Sequence, residues 1–329
     1  MKKFIVRVLL LVSPFILVGI DYCYLDPFKV LYKYSNYNEI HGLVKNRDYV
    51  STEMFMNNYK KQGYNSFIFG SSRTVAFKPS SWQQYLLPTD SPFLFDASGE
   101  SIYGIYVKMK YLDSMHVTID NALIILCRDA SFQYSNDHEG HLFMKHPVLT
   151  GKNKFDFQLM FFGVYLNPML LLSYHDYKLT KKFKPYMSGY MENREIVSDT
   201  ITNWQYIISQ ENEILNAPEK YYEERKDLFY EREHEQTDTR QRINSEYIGL
   251  LKEIKQILEK HQTNYKIVLS PLYDQMKFHP KDMDILTNLF GNHLYDFSGK
   301  NSFTDNKTNY YETSHFRPLL GDSILMQIY

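Results

Sequence analysis

The chain has 329 residues, enough for one large domain or two small ones, and a formal charge of −1 that gives no reason to invoke nucleic acid as a partner. Its 2 cysteines, Cys23 and Cys127, are not spaced as a metal site, and one distant pair is no disulfide framework, so they leave the redox compartment open. Aromatic residues make up 16% of the chain, 29 of them tyrosines; most of these rings are expected to fill the core, and a few could stack on sugars.

Met1-Lys2-Lys3 is basic, and Phe4 to Ile20 is almost wholly apolar, with Arg7 near its start. As helix this run covers roughly 25 Å, just short of the hydrocarbon core of a bilayer. Residues 1–24 are therefore expected to be a membrane anchor, inserted in the lipid bilayer through residues 4–20. The basic end stays in the cytoplasm and everything after Asp21 lies outside. A cleaved signal peptide is the main rival, but no small-x-small cleavage pattern follows. Ile20-Asp21-Tyr22 are not the small residues a lipoprotein signal needs before Cys23. Residues 25–64 read as a tyrosine-rich juxtamembrane segment with one or two short helices.

The regular part begins at Ser66–Gly70, an apolar run that predicts a buried strand. Phe93–Asp96 predicts a second strand, ending in Ala97-Ser98-Gly99. Ser101 to His116 has helical spacing, with Ile102, Ile105, Tyr106, Met109 and Leu112 on one stripe. Ala122–Cys127 is apolar throughout, as expected of a strand covered on both faces. From about 130 to 240 the pattern loosens into an insertion, expected to be mostly helical: aromatic, Met- and Leu-rich from Phe155 to Tyr177, then highly charged. Alternation returns with a helix from about Gln241 to His261, a strand at Tyr265–Ser270, a helix at Lys281–Phe290 and a short strand at His293–Phe297. A last helix begins at Pro318, which suits a first turn. Five strands alternating with helices predict an α/β fold, a three-layer α/β/α sandwich with a five-stranded parallel sheet, spanning 65–329.

Gly70-Ser71-Ser72-Arg73 sits at the carboxyl end of the first strand, where open α/β sheets place their chemistry. An alcohol is a weak nucleophile at neutral pH and needs a base to take its proton. Near the other end, Glu312-Thr313-Ser314-His315 offers an imidazole with an acid three residues before it. Ser72 is the candidate nucleophile, His315 the base and Glu312 the group that holds the imidazole tautomer. The backbone N–H groups of Ser72 and Gly99 are candidates for an oxyanion hole. Arg73 and Arg128 are candidates for holding a substrate anion, each with an ion pair as the plain alternative. Asp137, His138, Glu139, His141 and His146 cluster in sequence, but their spacing matches no metal motif, and no metal or other cofactor is expected. Asn203 and Trp204 carry no recognisable motif, and a core role is expected for the tryptophan.

These motifs resemble those of the SGNH/GDSL hydrolase superfamily, and within it the membrane-anchored branch of polysaccharide O-acetyltransferase-like and teichoic-acid D-alanyl esterase-like proteins. Gly70-Ser71-Ser72 corresponds to the first block, Gly99 in Asp96-Ala97-Ser98-Gly99 to the glycine of the second, and Glu312-Thr313-Ser314-His315 to the last. Asp296-Phe297-Ser298 and His315-Phe316-Arg317-Pro318 also look like this group. The resemblance covers roughly 62–129 and 243–329 and leaves out the insertion. It implies a flavodoxin-like SGNH fold and an extracytoplasmic serine O-acyl esterase or O-acyltransferase acting on a cell-envelope or exported glycan, with a separate membrane protein delivering acyl groups. Two departures stand out. The family's third block supplies an oxyanion asparagine, where this chain has Leu126-Cys127-Arg128-Asp129, and the acid is Glu312 in place of Asp. They motivate an alternative reading, a catalytically inactive scaffold or glycan-binding component of an envelope assembly.

Overall fold

A computed structural model describes residues 1–37, 41–193, 196–232 and 235–329, apart from the side chains of residues 2, 5, 6, 8–10 and 41. Parts of three expected segments therefore lie outside the described residues: the apolar run, the stretch read as juxtamembrane and the insertion.

The five expected strands form one sheet: β1 (Ser66–Gly70), β2 (Pro92–Asp96), β3 (Asn121–Leu126), β4 (Asn264–Leu269) and β5 (Leu294–Asp296). All pair in parallel, in the order β2-β1-β3-β4-β5. This is a doubly wound order whose switch point lies between β1 and β3. β1 and β3 are buried along their whole length, which is why both read as uninterrupted apolar runs.

Alternate side chains of the strands feed two cores. Phe67, Phe69, Phe93, Phe95, Ile124 and Leu126 point to one face. There they meet α2 (Arg47–Gln62), α3 (Ile102–Ser114), α4 (Ser245–Lys260) and α5 (Pro280–Phe290). Ile68, Leu94, Leu123, Ile125 and Val268 point to the other face, against Trp82 and α6 (Pro318–Ile328). Asn244 caps α4 by accepting from the amides of Glu246 and Tyr247.

α2 lies inside the stretch read as juxtamembrane, yet it packs on β2 and buries every side chain from Arg47 to Phe55. The folded unit thus starts before the boundary drawn at residue 64. The insertion holds helices at Lys154–Tyr165, Pro168–Thr180, Ile208–Asn216 and Pro218–Glu224, joined by short strand pairs. One of these pairs joins Met191–Asn193 to His41–Leu43.

α1 (Lys2–Leu25) precedes all of this and contains Pro14. Among the described residues no single helix is long and apolar enough to cross a membrane; Leu11–Leu25 is a shorter apolar stretch. The helices Lys154–Tyr165 and Pro168–Thr180 reach that length and composition only together, and they bend by 79° at their junction.

Candidate active site

The backbone at the end of β1 requires glycine. Gly70 has φ 146°, and a Cβ there would lie 2.7 Å from the Ile125 carbonyl oxygen and 2.8 Å from Thr74 Cγ2. The chain then turns at once into a short 3₁₀ helix, Ser72–Ala76. The two serines part company at this turn. Ser71 is buried, with its hydroxyl near Cys127 Sγ at 3.6 Å, and its carbonyl accepts from Thr74 N at 2.9 Å and Thr74 Oγ1 at 2.7 Å. Ser72 lines a cavity of about 670 Å³.

The turn is held from two sides. Trp204 Nε1 donates to the Val75 carbonyl at 2.8 Å. Across it, α6 comes so close that a Cβ on Gly321 would lie 2.1 Å from Ala76 O.

His315 reaches the same cavity from a tight antiparallel pairing of Tyr310–Glu312 with His315–Phe316, in which Glu312 faces His315. Tyr310 anchors the pair by donating its hydroxyl to the Pro271 carbonyl at 2.9 Å. From the insertion, Glu211 accepts from Tyr311 Oη at 2.6 Å and from Arg317. The motif at one end of the sequence is therefore clamped by a helix of the segment that the resemblance leaves out.

Ser72 Oγ lies 2.8 Å from His315 Nε2. His315 Nδ1 is hydrogen-bonded to Glu312 Oε1, and Glu312 Oε2 accepts from the Ser314 amide at 2.6 Å. Burial pushes the Glu312 carboxyl up, but the hydrogen bond and charge of His315, with the Ser314 amide, outweigh it and hold the group below its ordinary value. A carboxylate at Nδ1 favours the tautomer with its proton on that nitrogen. Nε2 is then left bare to accept the serine proton. The distance is one at which direct proton transfer works.

Gly99 lines the cavity beside Ser98 and has φ 57°. Its loop rests on a buried ionic cluster. Glu100 is bridged to Lys108 and Lys145, Lys108 Nζ lies 3.1 Å from Asp48 Oδ2, and it also donates to the Asp96 carbonyl at 2.9 Å. The cluster fills the space beside Gly104, where a Cβ would lie 1.8 Å from Glu100 Oε1.

Sequence reasoning missed Arg47, which also lines the cavity. Its Nε donates to both oxygens of Asp96 at 3.0 Å, and its Nη2 to the Asn203 carbonyl at 2.6 Å. Burial raises the Asp96 carboxyl above its usual value, with Arg47 opposing. Tyr37, Phe143, Tyr206 and Tyr311 supply aromatic surface to the cavity, and Gln205 and Gln210 supply amides. Trp204 stacks on Tyr206 with centroids 4.8 Å apart. No local motif marks these residues, because each comes from a loop, short strand or helix outside the sheet.

The two arginines proposed for an anion do not line the cavity. Arg73 forks onto Asp129 at 2.6 and 2.7 Å and donates its Nε to the Ser314 carbonyl. Arg128 is buried between Asp238, at 2.7 Å, and Asp274. Both are the plain alternative, structural ion pairs. The thiol of Cys127 lies 3.2 Å from the Ser270 hydroxyl. The loop after β3 thus uses its polar groups to hold the framework, leaving the amides of Ser72 and Gly99 as the oxyanion candidates.

Among the described residues no group of three or more His, Cys, Asp or Glu side chains is arranged to hold a metal ion. The histidines of the 137–146 cluster have separate surroundings. His146 bonds Glu53 at 3.1 Å and stacks on Tyr49, His141 packs edge-on against Phe161, and His138 lies against Tyr134. No protein-family model matches the chain, and no curated relative matches it.

Proposed function

We propose that the protein is an extracytoplasmic serine O-acyl esterase or O-acyltransferase of the SGNH type, acting on a cell-envelope or exported glycan. The observation that carries this reading is the hydrogen-bonded chain from Ser72 Oγ through His315 to Glu312 in the lining of one cavity. In the first half-reaction Ser72 Oγ attacks the ester carbonyl carbon while its proton passes to His315 Nε2. Glu312 stabilises the imidazolium, and the amides of Ser72 and Gly99 take the oxyanion. Collapse breaks the ester C–O bond, His315 returns its proton to the departing alcohol, and the acyl group stays on Ser72. Water or a sugar hydroxyl then gives its proton to His315 and attacks the acyl-enzyme, restoring the serine. The rings of Phe143 and Tyr206 suit the stacking of sugars.

The apolar run in α1 supports an anchor that keeps the folded domain outside the cytoplasmic membrane. There a membrane protein that delivers acyl groups would be its natural partner.

The test is covalent labelling of the full chain with a fluorophosphonate. Labelling is expected in the wild type and in Ser71→Ala and absent in Ser72→Ala. A folded wild-type protein that neither labels nor hydrolyses an activated acetyl ester would overturn the enzyme reading. It would favour the scaffold, to which the loop after β3, lacking an asparagine, already lends support.

A further inference from the structure

We infer that the helix pair Lys154–Tyr165 and Pro168–Thr180 is a membrane-surface foot, lying in the headgroup region of an anionic bilayer beside the exit of α1. Each helix is apolar on two opposite faces. Phe157, Phe161 and Tyr165 of the first, and Leu170 and Tyr174 of the second, are buried against the domain core. On the far side Phe155 is 66% exposed, Leu159 52%, Leu172 55% and Leu179 85%, with Met160, Leu166 and Met169 beside them. A helix with apolar residues all round normally has protein or lipid on every side.

Length and charge decide how lipid would cover it. Helices of this size are roughly 18–20 Å long, well short of a hydrocarbon core of about 30 Å. They also bend by 79°, and each keeps one face on the core, so they suit lying along an interface better than crossing it. Lys154, Lys178, Lys181 and Lys182 lie on the two helices or next to their ends, against Asp156, while Lys152 and Lys184 are paired with Asp137 and Asp176, so the pair is locally basic in a chain whose net charge is −1. Apolar residues flanked by lysine match an anionic headgroup layer.

The pair is also fastened to α1. Asp21 accepts from Tyr165 Oη at 2.6 Å and lies 2.9 Å from His175 Nε2, and the Tyr22 ring packs 5.3 Å from Phe162. If α1 enters a bilayer, its exit point and this face meet the same surface. The inference rests on the anchor reading for that orientation alone; it makes no use of the catalytic one.

The test is tryptophan fluorescence of the full chain in vesicles of phosphatidylglycerol with brominated acyl chains. Single variants Leu159→Trp and Leu172→Trp report the foot, Phe15→Trp the anchor and Met326→Trp, on the opposite helical layer, the background. The native Trp82 and Trp204 are buried. Emission from positions 159 and 172 is expected to shift to the blue and fall by about half relative to unbrominated vesicles, as for side chains at the acyl boundary. Position 326 is expected to change little. Replacing Lys154, Lys181 and Lys182 with Gln should reduce the quenching at 159 without reducing it at position 15. Unquenched tryptophans at 159 and 172 would overturn the inference, whatever position 15 reports. So would a blue shift complete without vesicles, which would assign the face to a protein partner. An unquenched position 15 beside quenched 159 and 172 would sink the anchor and keep the foot.

Discussion

Arg73 and Asp129 form a two-pronged ion pair that ties the turn after β1 to the loop after β3, and the same guanidinium holds the Ser314 carbonyl next to His315. One side chain thus sets the position of the turn that carries Ser72 relative to the loop that carries His315. Arg73→Met is expected to lower stability by about 2 kcal/mol, the smaller end of the range for a broken pair because water can reach Asp129. It should also slow serine labelling by roughly 100-fold, since a misplacement of the base by an ångström has that effect. Arg73→Lys should rescue little, because an ammonium cannot form the fork. Melting curves and labelling rates check both; unchanged labelling in a stably folded Arg73→Met would remove the residue from the positioning role.

Gly321 sits within a helix, where alanine is normally better than glycine by about 1 kcal/mol. Here the added Cβ would meet the Ala76 carbonyl at 2.1 Å, backbone against backbone, and neither can swing away. Gly321→Ala is therefore expected to destabilise, by about 2 kcal/mol, and to disturb the turn that presents Ser72. A raised melting temperature would show that the contact is looser than described.

The Glu312 carboxyl is held below its ordinary value of 4.5, so its contribution to stability has a definite sign with pH. It is fully present above the glutamate range of the unfolded chain and is lost as pH falls through the lower, folded value. Wild type should be more stable than Glu312→Gln at neutral pH, and the gap should close as the pH falls below the glutamate range of the unfolded chain. Paired melting curves across that window test it. A gap that persists under acid would mean the ionised carboxylate is not its source.

Lys108 is fully buried between two carboxylates, and removing one partner of such a cluster strands the other charges. Lys108→Met should cost about 3–5 kcal/mol, while adding Glu100→Gln should return part of that loss, since the stranded charge goes with it. Denaturant unfolding of the two single variants and the double closes the cycle. Simple additivity would dissolve the cluster as a unit.

The sheet, Ser72 and Gly99 were legible in the sequence for one reason, whereas Glu312 and His315, on a strand pair outside the sheet, stood out only by an acid three residues before an imidazole. Parallel strands buried on both faces leave uniform apolar runs, and the residues that matter follow directly on from them, as Ser72 does β1 and Gly99 does β2. Arg47 and the burial of α2 in the domain were not legible. A helix covered on every side from Arg47 to Phe55 has no apolar stripe, and its charges find partners far along the chain, as Asp48 does in the His146 amide. Arg73 and Arg128 failed as anion holders on similar grounds. Their acids lie 56, 110 and 146 positions away, so only the folded chain reveals that both are already engaged.

The insertion has one more effect, at the rim of the sheet. β2 is an outermost strand, and an uncovered row of amides there is a template for another chain. Thr202 O accepts the Leu94 amide at 2.9 Å, and Asn203 Nδ2 donates to the Leu94 carbonyl at 2.6 Å. The loop that brings Tyr206 to the cavity therefore also blunts the strand against self-association. Trimming it to widen the pocket would risk baring that edge and promoting aggregation.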